Sequence, residues 1–130
     1  MTGLADFLRA RYAEDAQAVR ANWNRDGITS ERYHDTPIDP TRLLADLDAK
    51  LALLEDLLAE EHERNEEDHW YSCAALTDRD GNTLCFDESR APGPCDCGRD
   101  TRINRRLRIL ARPFAGHTDY QDKWRSDDTR

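Results

Sequence analysis

The segment Pro40-Thr-Arg-Leu-Leu-Ala-Asp-Leu-Asp-Ala-Lys-Leu-Ala-Leu-Leu-Glu-Asp-Leu-Leu58 carries the strongest structural signal in the chain. Five of its leucines follow a three-four repeat that we call the leucine seam: Leu44, Leu47, Leu51, Leu54 and Leu58. Such a repeat marks a helix face that packs against another helix at a shallow angle. Asp39 can accept hydrogen bonds from the first free amides, and Pro40 suits the first turn. We therefore predict a helix that begins at Pro40.

A second amphipathic helix precedes this segment. Apolar side chains recur at helical spacing over residues 4–23, at Leu4, Leu8, Tyr12, Ala16, Val19 and Trp23. Residues 24–38 contain Gly27, Ser30 and Pro37 and show little periodicity, which is typical of a loop. We expect this loop to join the two helices into an antiparallel hairpin.

The stretch that follows the leucine-rich helix predicts a β-hairpin. Short apolar runs at residues 70–76 and 83–86 flank the turn sequence Asp80-Gly81. Residues 91–98 come next, and their prolines, glycines and cysteines are typical of a tight loop. The hairpin and the loop together hold all four cysteines of the chain.

The last third of the chain predicts a third helix and a docked tail. The helix is expected to begin near Asp100 or Thr101 and to end before Pro113. Tyr120 and Trp124 are spaced about one helical turn apart, and we expect both to pack on the body of the protein.

These elements predict a mainly α-helical fold in which a long helical hairpin and a third helix accompany a small β-hairpin and cysteine loop. We expect one domain over residues 1–125, with the cysteine-containing insert at 70–98 and a disordered tail at 126–130. Of the 130 residues, 38% are hydrophobic and 35% are charged. The core is therefore lean, and a cross-link would contribute proportionately more to stability.

Composition and charge disfavour several functional settings. No window approaches 18 consecutive apolar residues, and the first residues lack the basic start and apolar run of a signal peptide. The net charge of −8 disfavours nonspecific attraction to nucleic acid or anionic lipid. We therefore expect a cytoplasmic protein whose thiols stay reduced, a setting that favours metal over disulfides.

The four cysteines are the candidate metal ligands. A hairpin plus a turn can supply the tetrahedral thiolates of a zinc site, namely Cys73, Cys85, Cys95 and Cys97. The spacing C-x11-C-x9-C-x-C differs from the paired C-x2-C knuckle. A histidine can replace one thiolate, and the candidates are His62, His69 and His117. Two alternatives stay open: buried, apolar Cys73 and Cys85 with free thiols in the loop, or two disulfides.

Other motifs match their templates less well. Cys95-Asp-Cys97 resembles a redox dithiol but is not C-x-x-C. The segment Asp78-Arg-Asp80-Gly81 resembles a calcium loop, but Leu76 takes the place of the first carboxylate and Asp87 that of the bidentate glutamate, which favours a turn. Glu66 and His69 have the spacing of helical di-metal sites, but matching ligands on other helices are missing and a solvated helix end is expected. The sequence contains no Gly-rich phosphate loop and no G-x-S-x-G, so we identify no catalytic residue.

Charge is segregated along the chain. Residues 39–68 contain eleven acidic and three basic residues, whereas residues 99–112 contain six arginines and one aspartate. We expect the two segments to attract each other within the fold. Alternatively, the arginine-rich helix can contact nucleic-acid phosphates, or the acidic helix can mimic a nucleic-acid backbone and inhibit a protein that binds one.

Three sequence blocks carry a family resemblance. The first is Phe7-Leu-Arg-Ala-Arg11 with Glu14-Asp15, and the second is Asp39-Pro40 with Arg42, Leu44-Ala45 and Ala49-Lys50. The third comprises Leu107-Arg108, Leu110-Ala111, Pro113-Phe-Ala115, His117, Asp119-Tyr120 and Trp124-Arg125. Together the blocks resemble the DUF6221 family, a domain of unknown function in small proteins of actinobacteria and their phages.

The resemblance implies an intracellular bacterial or phage setting and supplies no reaction, substrate or catalytic residue. The family pattern places Cys-Pro-Thr immediately before the Leu-Arg pair, where this chain has Asn104. The metal ligands therefore rest on the residues of this chain alone.

We predict a non-enzymatic interaction or regulatory protein in which a cysteine-ligated zinc ion stabilises residues 73–97. The leucine seam is the predicted surface for a protein partner or a homodimer. We do not expect nucleic acid or a membrane as a partner, and a thiol-redox enzyme is the last alternative.

Overall fold

The computed structural model describes residues 3–26 and 39–125. Within these ranges the chain forms three α-helices, α1 Leu4–Asp26, α2 Pro40–Leu58 and α3 Arg99–Ala111. Short 3-10 helices occupy His69–Tyr71, Arg112–Phe114 and Asp122–Trp124. The predicted mainly α-helical class is therefore confirmed.

The chain divides into two compact units. The helical unit comprises the described residues within Met1–Asp56 and Leu107–Arg130, and the cysteine unit is Leu57–Arg106. One domain with an insert at 70–98 stays a prediction; the compact unit around the cysteines is longer than that insert. The predicted tail at 126–130 lies outside the described residues.

In the helical unit, α1 and α2 pack antiparallel, as the sequence predicted. Arg9 donates hydrogen bonds of 2.6 and 3.0 Å to the Glu55 carboxylate near the end of α2. Further along α1, side chains up to Arg20 line a cleft together with α2 residues between Leu44 and Leu51, which precede Glu55. α1 continues to Asp26, and the rest of the predicted loop, residues 27–38, lies outside the described residues.

The start of α2 follows from its first residues. The Asp39 carboxylate accepts a hydrogen bond of 2.7 Å from the backbone amide of Arg42, and Pro40 is the first helical residue. The predicted cap is therefore confirmed. Within the leucine seam Leu54 is fully buried, whereas Leu51 is 37% exposed.

The core of the helical unit is aromatic. The ring of Phe7, on α1, lies 6.1 Å from that of Phe114 and 6.0 Å from that of Tyr120, centroid to centroid. Trp124 is 5% exposed, and its ring centroid lies 5.0 Å from that of Phe7. The predicted docking of both tail aromatics is thus confirmed.

The predicted β-hairpin is present only as a turn. Thr77 and Thr83 form one antiparallel bridge, and the Leu84 amide donates to the Leu76 carbonyl at 2.9 Å, but the described ranges contain no strand. The Asp78 side chain accepts from nearby amides, and Gly81 takes the positive φ of 85° that favours glycine. A 3-10 helix at His69–Tyr71 occupies the start of the expected first arm. Backbone pairing between the two arms is therefore confined to the residues beside the turn.

The buried position of Leu54 makes its contribution to stability measurable. We expect Leu54→Ala to reduce the free energy of unfolding by about 2–5 kcal/mol, since it leaves a cavity in the core. Leu53→Ala is the matched control, because Leu53 is 48% exposed, and should change it by less than about 0.5 kcal/mol. Urea unfolding followed by circular dichroism checks both, and equal losses would contradict the assignment of Leu54 to the core.

Candidate metal centre

Four ligand atoms converge in the cysteine unit. One donor each from His62, Cys73, Cys95 and Cys97 lies within 4.8 Å of the others. The Nδ1 atom of His62 is 3.4 Å from Cys73 Sγ and 3.7 Å from Cys97 Sγ, and the sulfur atoms of Cys95 and Cys97 are 3.7 Å apart. These four residues can hold a metal ion.

Three of the four sequence-predicted ligands belong to this group. The fourth, Cys85, lies elsewhere, and His62, one of the three candidate replacement histidines, completes the set. His69 packs its ring 5.1 Å from that of Phe86, and His117 belongs to the helical unit. All four cysteines are free of disulfides.

Cys85 occupies a small apolar cluster. It is 2% exposed and lies with Ala74 and Ala91, two other small buried residues. Its thiol donates to the backbone carbonyl of Trp70 at 3.6 Å. This is the behaviour of a small core residue, which was the alternative interpretation of the sequence for this position.

His62 is positioned by the end of α2 and by Arg99. The guanidinium of Arg99 donates to the carbonyls of Leu58 and Glu60 at 3.0 and 2.7 Å. These bonds fix the chain just after α2, two residues before His62. The distance of 3.6 Å between His62 Nε2 and the Asp100 carboxylate places an anion beside the nitrogen that does not face the sulfurs.

Cys73 follows a capped 3-10 turn. The Asp68 carboxylate accepts from the Trp70 amide at 3.1 Å and begins the turn. The amide of Cys73 then donates to the carbonyl of Glu63 at 2.9 Å, beside His62 in sequence. Two ligands eleven residues apart are thereby brought together.

Cys95 and Cys97 lie in the loop that leads into α3. The carboxylate of Asp96 between them accepts from the amide of Ala74, next to Cys73, at 3.0 Å. Gly98 has a φ of 88°, a conformation that favours glycine, and its carbonyl accepts from the amide of Arg102 in the first turn of α3. The loop therefore turns sharply into the helix directly after its second thiol.

Arg90 braces the two segments that carry the thiols. Its guanidinium donates to the carbonyls of Trp70 and Ser72 at 2.7 and 3.0 Å, just before Cys73. It also donates to the Asp96 carboxylate at 2.7 Å. The hydrogen bond from Arg90, with that from the Ala74 amide, lowers the pKa of Asp96 to about 2, so the carboxylate stays charged at neutral pH.

Backbone amides point at the sulfur atoms. The amide of Glu63 donates to Cys97 Sγ at 3.4 Å, and that of Asp100 donates to Cys95 Sγ at 3.5 Å. Burial raises the pKa of the Cys73 thiol, but nearby amides outweigh burial and bring it down to about 7. Burial also raises the pKa of Cys97. The Cys73 thiol is thus the more easily ionised of these two.

The charged segments meet as the sequence predicted, within the cysteine unit. Glu60 accepts from Arg102 at 2.8 Å and lies 3.6 Å from the guanidinium of Arg106. The hydrogen bond from Arg102 lowers the pKa of Glu60. Arginines from the first part of α3 are therefore directed at the end of the acidic segment.

Comparison with known proteins assigns the chain to a family. The family of unknown function DUF6221 matches residues 1–126, so the chain belongs to that family. No curated protein and no solved structure matches the chain. Of the helices in the described ranges, none combines the length and the apolar character that crossing a bilayer requires.

The Arg90 brace predicts an effect on metal affinity. Arg90→Lys keeps the positive charge but cannot bridge two carbonyls and a carboxylate, so we expect the apparent Kd for Zn²⁺ to rise about tenfold. Arg79→Lys, at an exposed position of the same unit, should leave the Kd unchanged. Competition with a chromogenic chelator measures both constants, and equal affinities would exclude a positioning role for Arg90.

Proposed function

We propose that the cysteine unit is a structural zinc module and that the protein is a small, non-enzymatic interaction protein. The ligands are His62, Cys73, Cys95 and Cys97. The observation that carries the proposal is the spacing of their donor atoms. With Zn–S bonds of about 2.3 Å and Zn–N bonds of about 2.0 Å, a tetrahedral site separates two sulfurs by about 3.8 Å and a sulfur from a nitrogen by about 3.5 Å.

The measured separations agree with that geometry. The two loop sulfurs are 3.7 Å apart, and His62 Nδ1 lies 3.4 and 3.7 Å from two sulfurs. Three thiolates and one imidazole are ligands that suit zinc, and four protein ligands leave no position for a reactive water. A closed site of this kind supports a structural role rather than hydrolytic catalysis.

The surroundings of the ligands support the same assignment. Metal-bound histidine commonly places a carboxylate at its other ring nitrogen, and Asp100 lies there. Amides of Glu63 and Asp100 donate to sulfur atoms, which stabilises thiolates. Contacts of this kind orient the ligands of a bound metal and stabilise their charge.

The composition of the cysteine unit explains why it would need a metal. Its buried apolar residues are few, and most are small: Cys73, Ala74, Cys85, Ala91 and Ile103. A core of this size offsets little of the conformational entropy lost on folding. Metal binding would contribute folding free energy directly.

The proposed role is interaction or regulation. Its support is the absence of a catalytic motif from the sequence and the partial exposure of the leucine seam at Leu51. Leu54 is buried and Leu44 and Leu47 face α1, so we propose that α2 offers the exposed part of the seam, at Leu51, to a protein partner or a second copy of the chain. The family resemblance supports a cytoplasmic bacterial or phage setting, where reduced thiols favour zinc over disulfides.

Binding of nucleic acid by α3 is the alternative function. Arg99, Arg102 and Arg106 are engaged with carbonyls or with Glu60 inside the cysteine unit, which favours an internal role for these arginines. Inhibition by acidic mimicry ranks below it, because Glu60 of the acidic segment is paired with Arg102. Thiol-redox catalysis also ranks below it, because the Cys97 thiol faces His62.

Native mass spectrometry tests the zinc module. We expect one zinc ion per wild-type chain and loss of stoichiometric binding in Cys73→Ser and in His62→Ala, because each removes one of four ligands. Cys85→Ser is the matched control, since Cys85 is equally buried but lies outside the group. It should keep its zinc; if it loses zinc while Cys73→Ser retains it, the ligand assignment is wrong.

Sedimentation velocity tests the leucine seam. Leu51→Asp puts a charge on the seam, and we expect it to lower the oligomer mass or abolish binding of a partner. Leu53→Asp carries the same change at a more exposed α2 position outside the seam and should keep the wild-type mass. A monomeric wild type would rule out the homodimer. Equal behaviour of the two variants would rule out the seam as an interface.

A further inference from the structure

Three large aromatic side chains of the cysteine unit are exposed, Trp70 by 55%, Tyr71 by 69% and Phe86 by 52%. We propose that this aromatic patch docks a basic, arginine- or lysine-bearing segment of a protein partner. The inference rests on the proposed function, because the zinc module supplies the scaffold that presents the patch. It assigns the partner surface a chemistry that the leucine seam does not provide.

The members of the patch are joined through His69. The amide of Phe86 donates to the His69 carbonyl at 3.3 Å, and the rings of these two residues lie 5.1 Å apart. Trp70 and Tyr71 follow His69 in the same 3-10 helix. Trp70 and Tyr71 thus directly follow the residue that Phe86 contacts.

The backbone beneath the patch is fixed while the rings stay exposed. The amide of Trp70 donates to the Asp68 carboxylate, and its carbonyl accepts from Arg90 at 2.7 Å and from the Cys85 thiol at 3.6 Å. The carbonyl of Ser72, two residues after Trp70, also accepts from Arg90. A backbone that is already held in place loses less entropy on binding, which favours this site as an interface.

Acidic groups outnumber basic ones around the patch: Arg64 lies 3.7 Å from Glu66 and Arg90 lies 3.8 Å from Asp87 at its border, against five carboxylates. The segments that carry its aromatics, residues 65–72 and 84–89, contain no lysine and no arginine. Their ionisable acids are Glu66, Glu67, Asp68, Asp87 and Glu88, and the three glutamates are exposed. The patch thus combines π faces with a rim of carboxylates.

This combination selects a cationic partner. A guanidinium or ammonium is attracted to the face of an indole and to neighbouring carboxylates at once. Phosphate groups of nucleic acid or of an anionic lipid surface would be repelled by the same rim. A second copy that used the same patch would bring two acidic rims together, so we commit to a basic segment.

A fluorescein-labelled nona-arginine peptide is the probe, and fluorescence anisotropy at low salt gives its Kd. We expect Trp70→Ala to weaken binding about tenfold, since it removes the best cation–π acceptor. Leu53→Ala removes an exposed apolar side chain from the helical unit and should leave the Kd unchanged. Equal affinity of Trp70→Ala and Leu53→Ala would overturn the inference.

A second pair of variants separates the patch from general attraction between opposite charges. Glu66→Gln/Glu67→Gln/Glu88→Gln removes three charges at the patch, and Asp46→Asn/Asp48→Asn/Asp56→Asn removes three from exposed positions of α2. We expect the first triple variant to weaken binding several-fold more than the second. Equal weakening would show that the peptide binds wherever the protein is acidic, and would overturn the inference.

Native mass spectra of the same samples keep the two proposals apart. If the wild-type protein holds one zinc but binds the peptide no better than Trp70→Ala, the proposed role of the patch is wrong and the zinc module is retained. If the protein holds no zinc, the zinc module is wrong, and the peptide affinities still show whether the patch binds a basic segment. A dimer that Trp70→Ala dissociates would identify a second copy as the occupant and would contradict the basic partner.

Discussion

In the cysteine unit four donor atoms lie within 4.8 Å of one another, and the proposed metal would join the segments that carry them. These atoms come from three separate segments: the chain after α2, the chain two residues after a 3-10 helix, and the loop before α3. The last two segments form no strand and share no regular ladder of hydrogen bonds. A ligand cluster bonds to each segment at one atom, so it can hold an irregular fold together without backbone pairing.

Arginine side chains hydrogen-bond to the backbone at several points in this unit. Arg90 and Arg99 both donate to backbone carbonyls, and a guanidinium with its several donors can serve two or three acceptors that a lysine could not. These carbonyls lie at or near helix ends or in irregular segments, where partners within a helix or strand are missing. The basic residues that suggested phosphate contacts in the sequence are thus explained in part by the backbone groups and carboxylates that they satisfy.

The elements with strong periodicity could be predicted from the sequence. The start of α2 followed from Asp39-Pro40, and the docked tail followed from Tyr120 and Trp124. The choice between Cys85 and His62 could not be predicted, because it depends on bonds between distant segments. Cys85 was expected on a strand arm, but Cys85 faces the Trp70 carbonyl, while Arg99 fixes the chain beside His62.

The same residues connect the metal centre to the aromatic patch. Arg90 holds the carbonyls of Trp70 and Ser72 on one side and the Asp96 carboxylate, between two ligands, on the other. The proposed metal would restrain the same loop, because two of its proposed ligands flank Asp96. Arg90 would then join the Trp70 backbone to a loop held both by hydrogen bonds and by the proposed metal, so support of the two features is shared.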